Sequence, residues 1–170
     1  ILYRELSLAY NSYLKGEEPR LPALPIQYAD YAIWQRRYLT AEVLSVQLAY
    51  WKDKLQGINK VLELPADYSR PKTLTYHGGL VKVGLGEELS QKVKAFNRKE
   101  GLTLFMTLLG GLQLLLSRYT GEKDIVVGSP IANRQELVLE DLIGFFINTL
   151  VLRTYCDESQ VVREYYKKIK

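Results

Sequence analysis

The chain has 170 residues, 47% apolar, 25% charged and 11% aromatic, an ordinary globular composition. Surface scaling gives roughly 8,600 Å² folded against about 28,000 Å² unfolded, so one sizeable core without disulfide staples is expected. Twelve glycines and six prolines exclude collagen and low-complexity disorder. The single Cys156 excludes an intrachain disulfide and a Cys-rich zinc site. The single His77 excludes mechanisms that need two imidazoles. The net charge of +4 gathers at the C-terminus, where Arg163, Lys167, Lys168 and Lys170 outweigh Glu164. A terminal patch is not the distributed stripe that nucleic acid calls for. No run reaches 18 apolar residues, so no membrane span is expected. The opening ILYRELSLAY has neither the basic region nor the cleavage site of a signal peptide. The lone thiol suits a reducing cytoplasm.

In chain order, Leu2, Leu6, Tyr10, Tyr13 and Leu14 recur at helical spacing with no N-cap before them. Val161, Val162, Tyr165, Tyr166 and Ile169 make a similar stripe at the other end, with no terminator. Both ends read as cuts through helices of something longer. GEEPRLPALP (16–25) is an extended connector. A helix follows over QYADYAIWQRRYL, then another over about 42–55, stopped by Gly57. ELPADYSRPKTLTYHGG is a loop. Leu80 to Leu85 alternates and predicts a half-buried strand. The segment 87–99 predicts a charged surface helix with Leu89, Val93 and Phe96 inward. The segment 102–119 is apolar nearly all round and predicts a buried core helix, stopped by Gly121. The segment 124–131 predicts a short buried strand, and 144–155 a long β-rich one. Strands separated by a helical pair suggest a right-handed crossover in one sheet.

Few residues offer chemistry. His77, between Tyr76 and Gly78, reads as an exposed turn histidine with no partner nearby to orient its ring. Cys156 precedes Asp157 and Glu158, which disfavour a thiolate, and reads as structural. GEKD (121–124) is no phosphate loop, and GSP (128–130) is no nucleophile elbow. Polar residues do interrupt apolar strands. Ser129, Asn133 and Arg134 end one strand, and Asn148 and Thr149 break another. Buried polar groups must be paired. Arg134 reads as holding a loop or a carboxylate. Asn148 serves either ladder-end bonding or a hydrogen bond into a cleft. Asp30 and Trp34, four apart, share a helix face. They read either as a packing cluster with Asp30 favoured by the helix dipole, or as part of a site.

YADYAIW (28–34), VVGSPIANR (126–134) and IGFFINTLVLR (143–153) resemble, in this order, motifs of nonribosomal peptide synthetase condensation domains. QLAYW (47–51), ELPADYSRP (63–71) and TLFMTLL (103–109) match as well, so the resemblance covers essentially the whole chain. It implies an α/β fold: an αβα sandwich, a chloramphenicol-acetyltransferase-like lobe with a mixed sheet, present here in part. It implies residues 1–16 as the final helix of a first lobe, 17–77 as linker and helical lead-in, and 78–170 as a second-lobe αβ core truncated at its C-terminus. The implied activity is amide formation between aminoacyl or peptidyl thioesters. No cofactor binds directly; phosphopantetheine arrives on carrier proteins.

The family's H-H-x-x-x-D-G motif is absent, so no catalytic residue is expected within the chain, and the chain alone is expected to be inactive. No metal site is expected. Asn148, Trp34, Asp30, Ser129, Asn133 and Arg134 are expected to line or support the substrate tunnel. The implied partners are the first lobe, upstream and downstream carrier proteins and an adjacent adenylation domain, with no nucleic acid and no membrane. The subtype resembles one joining an L-donor to an L-acceptor. The alternatives are an epimerisation or cyclisation domain, or a non-catalytic docking module.

Overall fold

The computed structural model describes residues 1–170 except Lys60, Arg70, Leu74 and Glu158. Arg70 of ELPADYSRP and Glu158 beside Cys156 therefore lie outside the described residues. The chain is a mixed α/β structure with α1 (Leu2–Leu14), α2 (Tyr28–Tyr38), α3 (Ala41–Lys54), α4 (Glu87–Glu100), α5 (Leu104–Thr120), β1 (Asp124–Ile131), β2 (Asn148–Tyr155) and α6 (Val162–Ile169). A 3-10 turn, Leu137–Leu139, precedes β2. Among the described residues, no single helix is long and apolar enough to cross a membrane.

Local chemistry sets the helix ends. The Thr40 hydroxyl accepts from the Val43 N–H, and the Thr103 hydroxyl from the Met106 N–H, each satisfying a donor left open in a first turn. Gly121 ends α5 in the left-handed region at φ 75°, where a side chain would be strained.

The chain divides into two compact units, Ile1–Gln56 with Ser129–Leu150, and Gly57–Gly128 with Val151–Lys170. In the first, Tyr31, Leu139, Leu142 and Phe146 form the core, with Leu24 and Ile26 packed against it. In the second, Ile125, Cys156, Tyr165 and Tyr166 form the core, flanked by Phe96, Leu102 and Leu114. There α5 packs against both α4 and α6. Arg163 of α6 grips Glu100 at the end of α4 with Nε and Nη2, each 2.9 Å from a carboxylate oxygen.

β1 and β2 form a two-stranded sheet. The Cys156 N–H donates to the Lys123 carbonyl at 2.6 Å, which sets the start of β1 beside the end of β2. The pair is therefore antiparallel. Arg153 clasps Asp124 at the same end, with Nε 2.9 Å from Oδ1 and Nη2 2.6 Å from Oδ2. This two-pronged bond holds the guanidinium firmly in its charged form.

Several expectations are corrected. Leu80 to Leu85 forms no strand: Leu80, Val81 and Val83 are 83%, 86% and 82% exposed. Alternation alone cannot hold a strand without a ladder partner, and the expected crossover loses its first strand with it. The helix α5 is not buried all round. Only Gly110 and Gln113 are buried, because α4 and α6 do not cover the side carrying Leu104, Phe105, Leu108 and Leu112. In α4, Val93 and Phe96 are half-buried but Leu89 is exposed. The second strand starts at Asn148, not near 144, because the chain before it is held by Phe146 in the first unit's core. With two small cores in place of one, the accessible surface is 14384 Å², well above the roughly 8,600 Å² scaling value.

Candidate functional site

Every residue expected at the site falls in the first unit. The helix α2 carries Asp30 and Trp34. Asp30 is its third residue, and its Oδ2 accepts the Gln27 N–H at 2.8 Å. It therefore caps the helix, which accounts for its place in the first turn. Tyr31 is buried, and its hydroxyl accepts from Gln35 Nε2 at 3.2 Å. Trp34 is half exposed, stacked on Tyr38 with centroids 5.2 Å apart and near Tyr31 at 5.8 Å.

The loop after β1 carries Asn133 and Arg134. Asn133 takes φ 52°, a left-handed conformation that asparagine tolerates better than most side chains. The bend brings Arg134 back over its own loop. Its Nη1 donates to the Leu139 carbonyl and also lies 3.5 Å from that of Glu140. Its guanidinium carbon sits 4.0 Å from the centre of the Phe146 ring. Arg134 thus holds the loop by two backbone carbonyls and one aromatic face.

Phe146 is where the three motif segments meet. Tyr28 packs edge-on against it at 5.3 Å, Tyr31 lies 4.8 Å away, and Arg134 covers its face.

Two clefts open on this cluster. One of about 390 Å³ is lined by Asp30, Tyr31, Trp34, Glu136 and Leu139. The other, about 320 Å³, is lined by Trp34, Gln35, Gln47, Asn133, Glu136 and Asn148, among others. Of the six expected residues, Asp30, Trp34, Asn133 and Asn148 line a cleft. Arg134 lies behind them, and Ser129, half-buried in β1, lines neither.

Asn148 opens β2, and its Oδ1 accepts the Thr149 N–H at 2.8 Å. That bond fixes the amide orientation and leaves the NH₂ as the end available to a ligand oxygen. With Gln35 and Gln47 it gives the second cleft neutral amides, suited to binding carbonyls, beside the carboxylate of Glu136. Among the cleft's polar residues, Gln35, Gln47 and Glu136 were missed as site residues. Their signal was a polar residue within an apolar helix stripe and a carboxylate beside a loop arginine, neither of which is specific.

The remaining candidates stand elsewhere. His77 is exposed in the second unit. Cys156 is buried, with Sγ 3.7 Å from the Gln113 carbonyl and 3.8 Å from the Tyr165 hydroxyl. Burial, then the contact with Cys156, pushes the Tyr165 phenol well above its ordinary range. Among the described residues, no group of His, Cys, Asp and Glu is arranged to hold a metal.

The three motif segments of this α/β chain close on one phenylalanine. The family profile described as Condensation domain matches residues 1–170, and the chain belongs to the condensation-domain family of nonribosomal peptide synthetases. A linear gramicidin synthase of Brevibacillus parabrevis is 48% identical over 170 residues, covering 100% of this chain and 3% of that protein. A plipastatin synthase of Bacillus subtilis is 40% identical over the same length, covering 100% of this chain and 6% of that protein. The chain thus spans only a few per cent of the length of these curated relatives.

The X-domain from teicoplanin biosynthesis superposes with a TM-score of 0.88 at 28% identity, over 98% of this chain and 38% of that one. The first condensation domain of the CDA synthetase shares the fold, with a TM-score of 0.74 at 18% identity over 98% of this chain and 36% of that one.

Proposed function

We propose that this chain supplies walls and floor of the reaction cleft in a condensation domain, which joins two carrier-bound thioesters through an amide bond. The observation that carries this reading is the meeting of all three motif segments on Phe146 beside a cleft lined by amide side chains. In the reaction, the acceptor amine attacks the donor thioester carbonyl. The C–N bond forms and the carbonyl oxygen gains charge. The C–S bond then breaks, the electron pair leaves on sulfur, and the proton lost from nitrogen ends on the thiol. The NH₂ of Asn148 is a donor for the carbonyl oxygen. Well-aligned reactants can by alignment alone remove roughly 7–11 kcal/mol of a barrier. No proton-transfer step is assigned to this chain. The imidazole of the H-H-x-x-x-D-G motif belongs to polypeptide outside these 170 residues, and the chain alone is inactive.

The phosphopantetheine arms arrive on carrier proteins, and an adenylation domain and the first lobe are neighbours in the same synthetase. A reduced, buried Cys156 suits the cytoplasm as their location. The test uses the intact domain with two loaded carrier proteins. Asn148→Ala is expected to lower amide formation by about tenfold, or about 1.4 kcal/mol of barrier, with the melting temperature unchanged. An unchanged yield removes Asn148 from the site, and no product from the unaltered domain removes the reading.

A second reading is favoured by the likeness to the teicoplanin X-domain, which is described in complex with OxyB. On that reading the domain is a docking module. The sequence that precedes Ile1 in the gene separates the two: H-H-x-x-x-D-G supports condensation, and its loss supports docking.

A further inference from the structure

Tyr28 and Gly144 form a contact that amide chemistry does not itself require. The Tyr28 hydroxyl donates to the Phe145 carbonyl at 3.1 Å, across 117 residues of sequence. A Cβ added at Gly144 would lie 2.7 Å from Tyr28 Cε2 and 2.9 Å from Cγ. No side chain at 144 can share that space with the ring. Two residues on, the Phe146 ring is 4% exposed and takes the Tyr28 edge at 5.3 Å. Asn148 follows two residues later, a reach of about 7 Å in extended chain. Over so short a span, a shift at 144–146 carries through to Asn148.

We propose that Tyr28 and Gly144 are positioning residues: together they fix the backbone of 144–146 and thereby set where the Asn148 amide stands in the cleft. The proposal rests on the condensation reading for its catalytic consequence, though the geometric lock is independent of it. The lock acts through one ring seated on one glycine and one hydrogen bond to the next carbonyl. Gly111 is the natural comparison, because a Cβ there meets nothing within 4 Å.

The experiment compares the intact domain with its Gly144→Ala, Tyr28→Ala, Tyr28→Phe, Asn148→Ala and Tyr28→Ala/Asn148→Ala variants, using Gly111→Ala as control. Single-turnover amide formation on loaded carrier proteins is the rate readout. Gly144→Ala is expected to slow the chemical step by about 10- to 100-fold, the scale of a displacement of about 1 Å in a reacting group. The apparent KM for the carrier protein stays within about twofold, because carrier binding is not what the lock controls.

Tyr28→Ala and Asn148→Ala are expected not to multiply. Once the lock is gone, Asn148 is already misplaced, so the double variant is no slower than the slower single one. Multiplying losses, or a folded Gly144→Ala variant as fast as the control, overturn the proposal. If Gly144→Ala does not fold, the Tyr28/Asn148 cycle decides it alone, with Tyr28→Phe, which loses only the bond to the Phe145 carbonyl, expected to be slowed less than Tyr28→Ala. If the unaltered domain makes no amide, the condensation reading falls and crystal structures decide the lock. Asn148 displaced by about 1 Å in Tyr28→Ala supports it, on the same scale, and an unmoved Asn148 overturns it.

Discussion

The guanidinium of Arg134 lies 4.0 Å from the centre of the Phe146 ring while its Nη1 donates to the Leu139 carbonyl. A lysine keeps the charge but loses the planar stack and the fork of donors. Arg134→Lys is therefore expected to destabilise the intact domain by about 1–2 kcal/mol, the range of a partly desolvated cation–π contact plus a hydrogen bond. Urea denaturation checks this. An unchanged midpoint shows that the loop holds without the stack.

Neighbouring glycines in α5 should respond oppositely. A Cβ at Gly110 would meet Tyr166 Cε1 at 2.5 Å and Ile169 Cδ1 at 2.7 Å, whereas one at Gly111 meets nothing within 4 Å. Gly110→Ala is expected to cost about 1–3 kcal/mol through overpacking between α5 and α6. Gly111→Ala is expected to gain up to about 1 kcal/mol from helix propensity. Melting temperatures of the two variants, measured side by side, check the pair.

The second unit's core predicts a loss of stability in alkali. Burial holds the phenols of Tyr165 and Tyr166 above their ordinary value of 10.0. Below pH 10 both rings are protonated in folded and unfolded chains, and their contribution is fully present. As pH rises past that value, the unfolded chain loses these protons while the folded one keeps them, so stability falls. The slope is about 1.4 kcal/mol per pH unit for each ring that stays protonated. Tyr165→Phe should flatten the decline. Denaturation midpoints followed with tyrosinate absorbance decide it, and a flat profile across that range refutes it.

Much of α5 is exposed apolar surface: Leu104, Phe105, Leu108 and Leu112 are 55%, 56%, 51% and 44% exposed. A contiguous patch of this kind drives association. The 170-residue polypeptide on its own is expected to self-associate, and Leu108→Glu to reduce this. Light scattering that finds a monodisperse monomer for the unaltered polypeptide counts against it.

The helices were legible because their signals are local. Gly57 and Gly121 follow the ends of α3 and α5, and apolar positions recur at helical spacing. The segment 80–85 was misread because a strand is a property of a pair, and alternation reports a face without reporting a neighbour. The helix α5 was misread for a related reason: an apolar circumference says that a helix prefers burial, and the neighbours decide how much it receives. At the site, Asp30 and Trp34 were placed on one helix face from spacing alone. That Asp30 caps its own helix follows from a backbone bond to Gln27 that spacing does not reveal. Tyr28 against Gly144, far apart in sequence, has no local signature. Motif resemblance singled out each segment, but only the fold shows them meeting on one ring.

Because a single phenyl ring is shared by Tyr28, Tyr31 and Arg134, these positions are not interchangeable parts. Exchange of sequence blocks between synthetases, as in building hybrid assembly lines, should succeed when 28–31, 134 and 144–146 come from one parent. A crossover point that separates them pairs a ring from one parent with a socket from another, and such hybrids inherit a mismatch in the first unit's core.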